Sequence, residues 1–154
     1  IGVELTSYTS EKNNMDNNIN ASEEDYLYTQ TSQIPNSGKG LFTAIKIYKD
    51  EVITLFKGKV LSDKEAEIIA KSGNDQYFIN LLDGTILDSN PVECFAKYAN
   101  DAAGFSISTF KNNAKIALDE EENVCLIALK NIKSGEEIFC SYGKSYWKKH
   151  GKQH

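Results

Sequence analysis

Arginine is absent: all 17 basic residues of the chain are lysine. The planar fork that reads guanine edges and clasps phosphates bidentately is therefore not available. A net charge of −5 argues the same way, against a general polyanion-binding surface. Nucleic acid is accordingly disfavoured as a partner. Histidine is almost as scarce, and both examples, His150 and His154, sit at the very end. Chemistry that needs a core histidine as general base is thereby excluded. Cys94, Cys125 and Cys140 are widely spaced and form no C-x-x-C pair. That excludes a cysteine-built zinc site, so no metal is expected, and it predicts three half-buried thiols in a reducing compartment. No apolar run approaches the roughly 20 residues of a membrane-spanning helix, and no secretory signal is visible near Ile1. An intracellular protein is expected, in nucleus or cytoplasm, without a membrane partner.

What is present suits one domain. The 154 residues are 40% hydrophobic and 25% charged, enough for a packed core without disulfide staples. Residues 1–30 differ in texture. Asn13, Asn14, Asn17, Asn18 and Asn20 precede the acidic run Glu23, Glu24 and Asp25, which reads as a flexible or loosely docked arm. Tyr26 to Tyr28 alternate out of it as a possible first edge strand. A globular unit over 31–147 and a basic tail over 148–154 complete the expected organisation.

Short β-rich runs dominate the globular part: 41–48, 51–56, 77–82, 85–88, 114–119, 124–129 and 137–140. Asp83-Gly84 reads as a two-residue hairpin turn. Ser62-Asp63-Lys64-Glu65 is a capping box that predicts a helix to about Lys71, stopped at Gly73. Asn90-Pro91 predicts a second, short helix, with Cys94, Phe95 and Tyr98 on one face. The fold class read from these elements is mainly β, an irregular α+β arrangement of many short strands with two short helices.

Three segments carry chemical interest. Ser37-Gly38-Lys39-Gly40-Leu41-Phe42 places two glycines before a strand, which serves either as a tight turn or as a close backbone approach to a ligand. It lacks the third glycine and the helix of a dinucleotide fingerprint. Cys94 to Gly104 ends a short helix in Asn100-Asp101, either turn-formers or, for Asn100, a donor and acceptor for a polar ligand. Glu136 to Gly143 delivers Tyr142 from a strand, and Tyr146 and Trp147 follow closely.

Together, in this order, the segments resemble the SET-domain protein lysine methyltransferases. Ser37 to Phe42 is similar to the family's G-x-G-L-[FY] opening, and Phe56-Lys57-Gly58 to its Y-x-G element. Tyr98-Ala99-Asn100-Asp101 falls where the family has N-H, and Asn112-Asn113 where it has P-N. Glu136 to Gly143 resembles the G-E-E-L-x-x-x-Y-G ending. The resemblance spans about residues 32–147. This sequence departs from the pattern in Asp101 for His, in Phe56 for Tyr, in an insertion over 104–111, and in lacking a cysteine-rich closing segment. Tyr146-Trp147 would supply an aromatic closure instead.

The resemblance implies a β-clip type fold and transfer of a methyl group from S-adenosylmethionine to a lysine ε-amine of a protein, with histones as an obvious case. It implies Tyr142 as the catalytic residue, orienting the amine. It implies cofactor binding by Lys39, Gly40, Leu41, Tyr98, Asn100, Asp101, Tyr146 and Trp147, with Asp101 contacting adenine through its backbone. Phe56, Tyr77 and Tyr98 would wall the substrate channel. Asp101, Phe56 and the insertion motivate a second reading, a catalytically silent SET-like module that binds a protein partner.

Overall fold

The computed structural model describes residues 3–5, 18–104 and 108–151. Three small sheets form its frame. β1 (Val3–Glu4), β6 (Phe78–Asn80), β7 (Ile86–Asp88) and β5 (Lys59–Leu61) make the first, in that spatial order. β10 (Glu137–Ile138), β3 (Lys39–Thr43) and β2 (Leu27–Thr31) make the second; β4 (Val52–Leu55), β9 (Val124–Ala128) and β8 (Ala114–Leu118) the third. All pairings within them are antiparallel except β1 with β6. The expected β-rich α+β class is what the chain adopts.

The third sheet anchors the core. Every residue of β9 is buried, as its Val-Cys-Leu-Ile-Ala run requires of a central strand covered on both faces. Leu41, Ile47, Ile53, Leu126, Ile132 and Ile138 are fully buried around it. Cys94, Cys125 and Cys140 are free and buried, deeper than the half-buried state expected of them.

The capping box is present as read. Ser62 Oγ accepts from Glu65 N at 3.2 Å and Glu65 Oε1 accepts from Ser62 N at 3.0 Å. The helix α2 runs Asp63–Lys71, with Gly73 beyond it at φ +82°. The second expected helix shrinks to a single 3-10 turn, Ala96–Tyr98. The ammonium of Lys97 donates to the carbonyls of Val92, Asn90 and Ser89 at 3.1, 3.5 and 3.5 Å. A side chain thus satisfies carbonyls that a longer helix would have paired with amides. The hairpin at Asp83-Gly84 also differs. Its strands end at Asn80 and Ile86, and Asp83 Oδ1 draws in the amide and hydroxyl of Thr85 at 2.9 and 2.6 Å, so the turn is wider than two residues.

Two terminal expectations need correction. Within 18–30 of the expected loose arm, Ile19, Tyr26 and Leu27 pack on the core and tie the segment down, although Asn18, Asn20 to Ser22, Glu24 and Asp25 are exposed. A one-turn helix α1 (Glu23–Tyr26) leads into β2, and the buried Tyr26 hydroxyl donates to the Ile53 carbonyl at 2.6 Å. β1 likewise joins a sheet. Residues 1–2 and 6–17 of the expected arm, and 152–154 of the expected tail, lie outside the described residues. Residues 148–150 belong to helix α3 (Lys144–His150). Lys149 Nζ reaches the buried Asp75 Oδ2 at 2.6 Å, a pairing invisible in a tail of lysines. No helix among the described residues is long and apolar enough to cross a membrane.

Candidate active site

The site begins with the last strand. The segment 137–140 is held from both sides, by β3 through Glu137 and Ile138 and by bridges from Phe139 to Asn100 and from Cys140 to Ala114. Asn113, buried, clamps the middle: its amide nitrogen donates to the Glu137 carbonyl at 3.0 Å, and its oxygen accepts from Phe139 N at 2.8 Å. A side-chain amide can do both at once, which an aliphatic residue cannot. The Asn100 carbonyl accepts from Cys140 N at 2.9 Å, while its side chain donates to the Lys39 carbonyl at 3.0 Å. Asn100 therefore ties the glycine turn, the 3-10 turn and the final strand together.

These ties surround a cavity of about 440 Å³, within the usual size of small-molecule sites. Its lining joins Lys39, Phe56, Tyr77, Tyr98, Asn100, Tyr142, Tyr146 and Trp147, residues drawn from both ends of the chain. Eight of the residues singled out above thus converge. Three do not face it. Leu41 is wholly buried in the core. Gly40 faces Glu137: a Cβ there would sit 2.1 Å from Glu137 Oε2. The first glycine is the one on the cavity, where Gly38 adopts φ +66° beside Ser37, a conformation that favours glycine.

Asp101 is the third, and it stands behind the wall. Its Oδ1 accepts from Ala103 N at 2.9 Å and Asn112 Nδ2 at 3.0 Å. Its Oδ2 accepts from Tyr142 N at 2.9 Å and Trp147 Nε1 at 2.7 Å. The buried carboxylate is thus compensated by hydrogen bonds, as burial of such a group demands.

The aromatic groups interlock. Tyr142 stacks on Trp147 with ring centres 5.7 Å apart and planes 17° apart, and meets Tyr146 edge-on at 4.8 Å. The Tyr142 hydroxyl donates to the Ala99 carbonyl. Its pKa lies well above the ordinary 10.0, chiefly through burial and then through Cys140, Tyr146, Asp101 and Tyr77. Tyr146 is pushed up to about 12, again mainly by burial. The Tyr98 hydroxyl donates to Glu93 Oε2 at 2.6 Å, and this bond first, then burial, raises Tyr98 to about 12. All three are neutral phenols at physiological pH, and they share the lining with the polar side chains of Ser37, Lys39, Gln76 and Asn100. Lys97 also lines the cavity, its Nζ 5.7 Å from the Tyr77 ring centre and 5.9 Å from that of Tyr98. Sequence reasoning passed over Lys97, although it lies within the Cys94 to Gly104 segment. It passed over Gly104 too, where a Cβ would come within 2.6 Å of the Trp147 ring.

Comparison with known proteins identifies the family and the fold. The model of the SET domain matches residues 38–143. The chain belongs to the SET domain family. It is 27% identical over 126 residues to the histone-lysine N-methyltransferase EZH2 of Chaetomium thermophilum, covering 75% of this chain and 8% of that protein. Among solved structures it is similar to an active polycomb repressive complex 2 in the basal state (TM-score 0.62, 28% identity, 77% of this chain and 15% of that one). It is also similar to ctPRC2 in an autoinhibited conformation bound to S-adenosylmethionine (TM-score 0.61, 26% identity, 77% and 15%). An apo ctPRC2 with two substitutions in Ezh2 gives a TM-score of 0.63 at 29% identity, covering 76% and 15%. This chain therefore spans less than a tenth of the curated relative and about 15% of each solved chain. The membership places it among the SET-domain lysine methyltransferases as a family.

Proposed function

We propose that this SET domain transfers a methyl group from S-adenosylmethionine to the ε-amine of a lysine in a protein substrate. One observation carries the reading: Lys39, Asn100 and Tyr142, from three distant segments, line a single cavity walled by aromatic rings. The donor set fits the cofactor. The backbone at Ser37 to Lys39 and the Asn100 side-chain oxygen would hold its amino-acid end. Tyr146 is enclosed edge-on by Tyr142 and Trp147, which leaves Trp147 as the better adenine platform, on its face away from Tyr142. Asp101 would meet adenine through its backbone, since its carboxylate is engaged elsewhere.

The sulfonium supplies an already activated methyl, so the protein's part is alignment and exclusion of water. The lysine nitrogen must attack with a free lone pair, forming the C–N bond as the S–C bond breaks. Phe56, Tyr77 and Tyr98 would wall the channel, and desolvation there favours the neutral amine. Tyr142, a neutral phenol whose proton is committed to Ala99, leaves its oxygen lone pairs to accept from the amine and aim it. The net charge of −5 suits attraction of a lysine-rich segment such as a histone tail. A role in chromatin and a nuclear or cytoplasmic location belong to this proposal. The reading is tested by titrating S-adenosylmethionine calorimetrically into the folded chain. A saturable heat supports it, and none in folded protein contradicts it.

The silent-module reading rests on Asp101, Phe56 and the insertion over 104–111. Asp101 rebuilds with Trp147 a contact to the closing helix, so the methyl-transfer reading is preferred. Stoichiometric methyl labelling of any lysine in mixed histones excludes the alternative.

A further inference from the structure

We propose that the Asp101 side chain is the positioning residue for the cofactor wall, acting through Trp147 and Tyr142. This goes beyond its backbone contact and rests on the methyl-transfer reading. One carboxylate oxygen, Oδ2, takes the indole N–H of Trp147 at 2.7 Å and the backbone N–H of Tyr142 at 2.9 Å. The catalytic phenol and the adenine platform are thereby referenced to a single atom. The other oxygen, Oδ1, takes Asn112 Nδ2 and Ala103 N, which fixes the carboxylate against swinging. Charge-assisted bonds of this kind are short and directional. Gly104 lets the indole close over this pair, because a Cβ there would meet the Trp147 ring. A small annex of about 40 Å³ beside the main cavity is lined by Asp101, Gly104, Tyr142 and Trp147.

The pairing also explains why an acid stands in this position. Helix α3 follows Tyr142 directly and has no side-chain N-cap. It is attached to the site through Tyr146 and Trp147, both against Tyr142, and, on the other side, through Lys149 to Asp75, two residues before Tyr77. Asp101 is the tether nearest the reacting groups. Its loss frees the indole to rotate and unseats the start of the helix.

Trp147 is the sole tryptophan, so the tether has its own spectroscopic readout. In the full chain, the single indole N–H proton resonance is expected downfield of free indole and slow to exchange with solvent. A freely exchanging resonance at the free-indole position overturns the proposal without any variant. In Asp101→Asn the resonance should move towards free indole and exchange faster. S-adenosylmethionine affinity should fall at least tenfold. Trp147→Phe should cost a comparable factor, and the double variant no more than the weaker single, since both act through one contact. Additive losses, or an unmoved resonance in a folded Asp101→Asn, overturn the positioning role. If the wild-type chain binds no S-adenosylmethionine, the methyl-transfer reading falls. The tether is then decided by the resonance alone.

Discussion

A Cβ at Gly40 would lie 2.1 Å from Oε2 and 2.8 Å from Cδ of Glu137. Glu137 is buried and cannot step aside, because Ser32 Oγ and Gln33 N donate to it at 2.7 and 2.8 Å. Its own strand pairs with β3 at that point. The second glycine of the opening motif thus serves the frame of the site and not its ligand face.

Gly40→Ala is accordingly expected to cost about 3 kcal/mol, combining overpacking with a disturbed buried network. Urea unfolding measures it. A loss below about 0.5 kcal/mol, the range of neutral surface substitutions, contradicts the assigned contact. Gly40→Ala with Glu137→Ala should lose less than the sum of the two, because the clash disappears with the carboxylate.

Tyr142→Phe removes one hydroxyl from the cavity while leaving the ring stack with Trp147. Stability should fall by about 1 kcal/mol, the worth of one hydrogen bond. Turnover should fall roughly a hundredfold through misalignment of the amine, or the number of methyls added should change. Steady-state kinetics on a lysine peptide, with mass spectrometry of the product, tests both. Wild-type kinetics with wild-type methyl number removes Tyr142 from its role.

Lys149 and Asp75 make an asymmetric pair. Asp75 is 1% exposed at its side chain and Lys149 34%. Among the described residues, Lys149→Met leaves the buried carboxylate with only His150 Nε2, 3.8 Å from Oδ1, and should cost about 3 kcal/mol. Asp75→Asn leaves a cation that can turn to water and should cost less. Denaturant unfolding of the two variants compares them, and the reverse order contradicts the buried pairing.

Alkaline pH should destabilise the fold. Tyr26 and Tyr146 are pushed up to about 12, first by burial, and Tyr142 is raised well above 10.0 for the same reason. In the unfolded chain these phenols ionise near 10. Their contribution is complete below that pH and is lost as pH rises from the unfolded towards the folded values, where the unfolded chain releases protons first. Tyrosinate absorbance should show these phenols titrating late in the native protein and together with the other tyrosines in urea. A native titration already complete near pH 10 contradicts their burial.

Local chemistry was legible and distant chemistry was not. The Ser62–Glu65 box announces its helix because both partners lie three residues apart and need nothing else. The aromatic wall was legible because motif order placed Tyr98, Tyr142 and Trp147 in one reading. The helix expected at Asn90-Pro91 shortens to Ala96–Tyr98 where the Lys97 ammonium bonds the Asn90 and Val92 carbonyls, a competition no propensity records. The Asp101 tether spans 46 positions to Trp147, and Lys149 spans 74 to Asp75. Such pairs exist only once the chain has folded. The alternation at Tyr26 to Tyr28 announces the edge strand β2, but polar composition alone does not show that the Tyr26 hydroxyl, bound to the Ile53 carbonyl, holds the preceding segment down.

The most direct test of the account is lysine methylation itself. The folded chain is incubated with S-adenosylmethionine and a mixture of histones, and the products are read by mass spectrometry, with Tyr142→Phe in parallel. The account predicts lysine methylation by the wild-type chain and, in the variant, a roughly hundredfold lower rate or a changed number of methyls. Equal methylation by both, or a chain that binds the cofactor yet modifies no lysine in histones or cell extract, would contradict it.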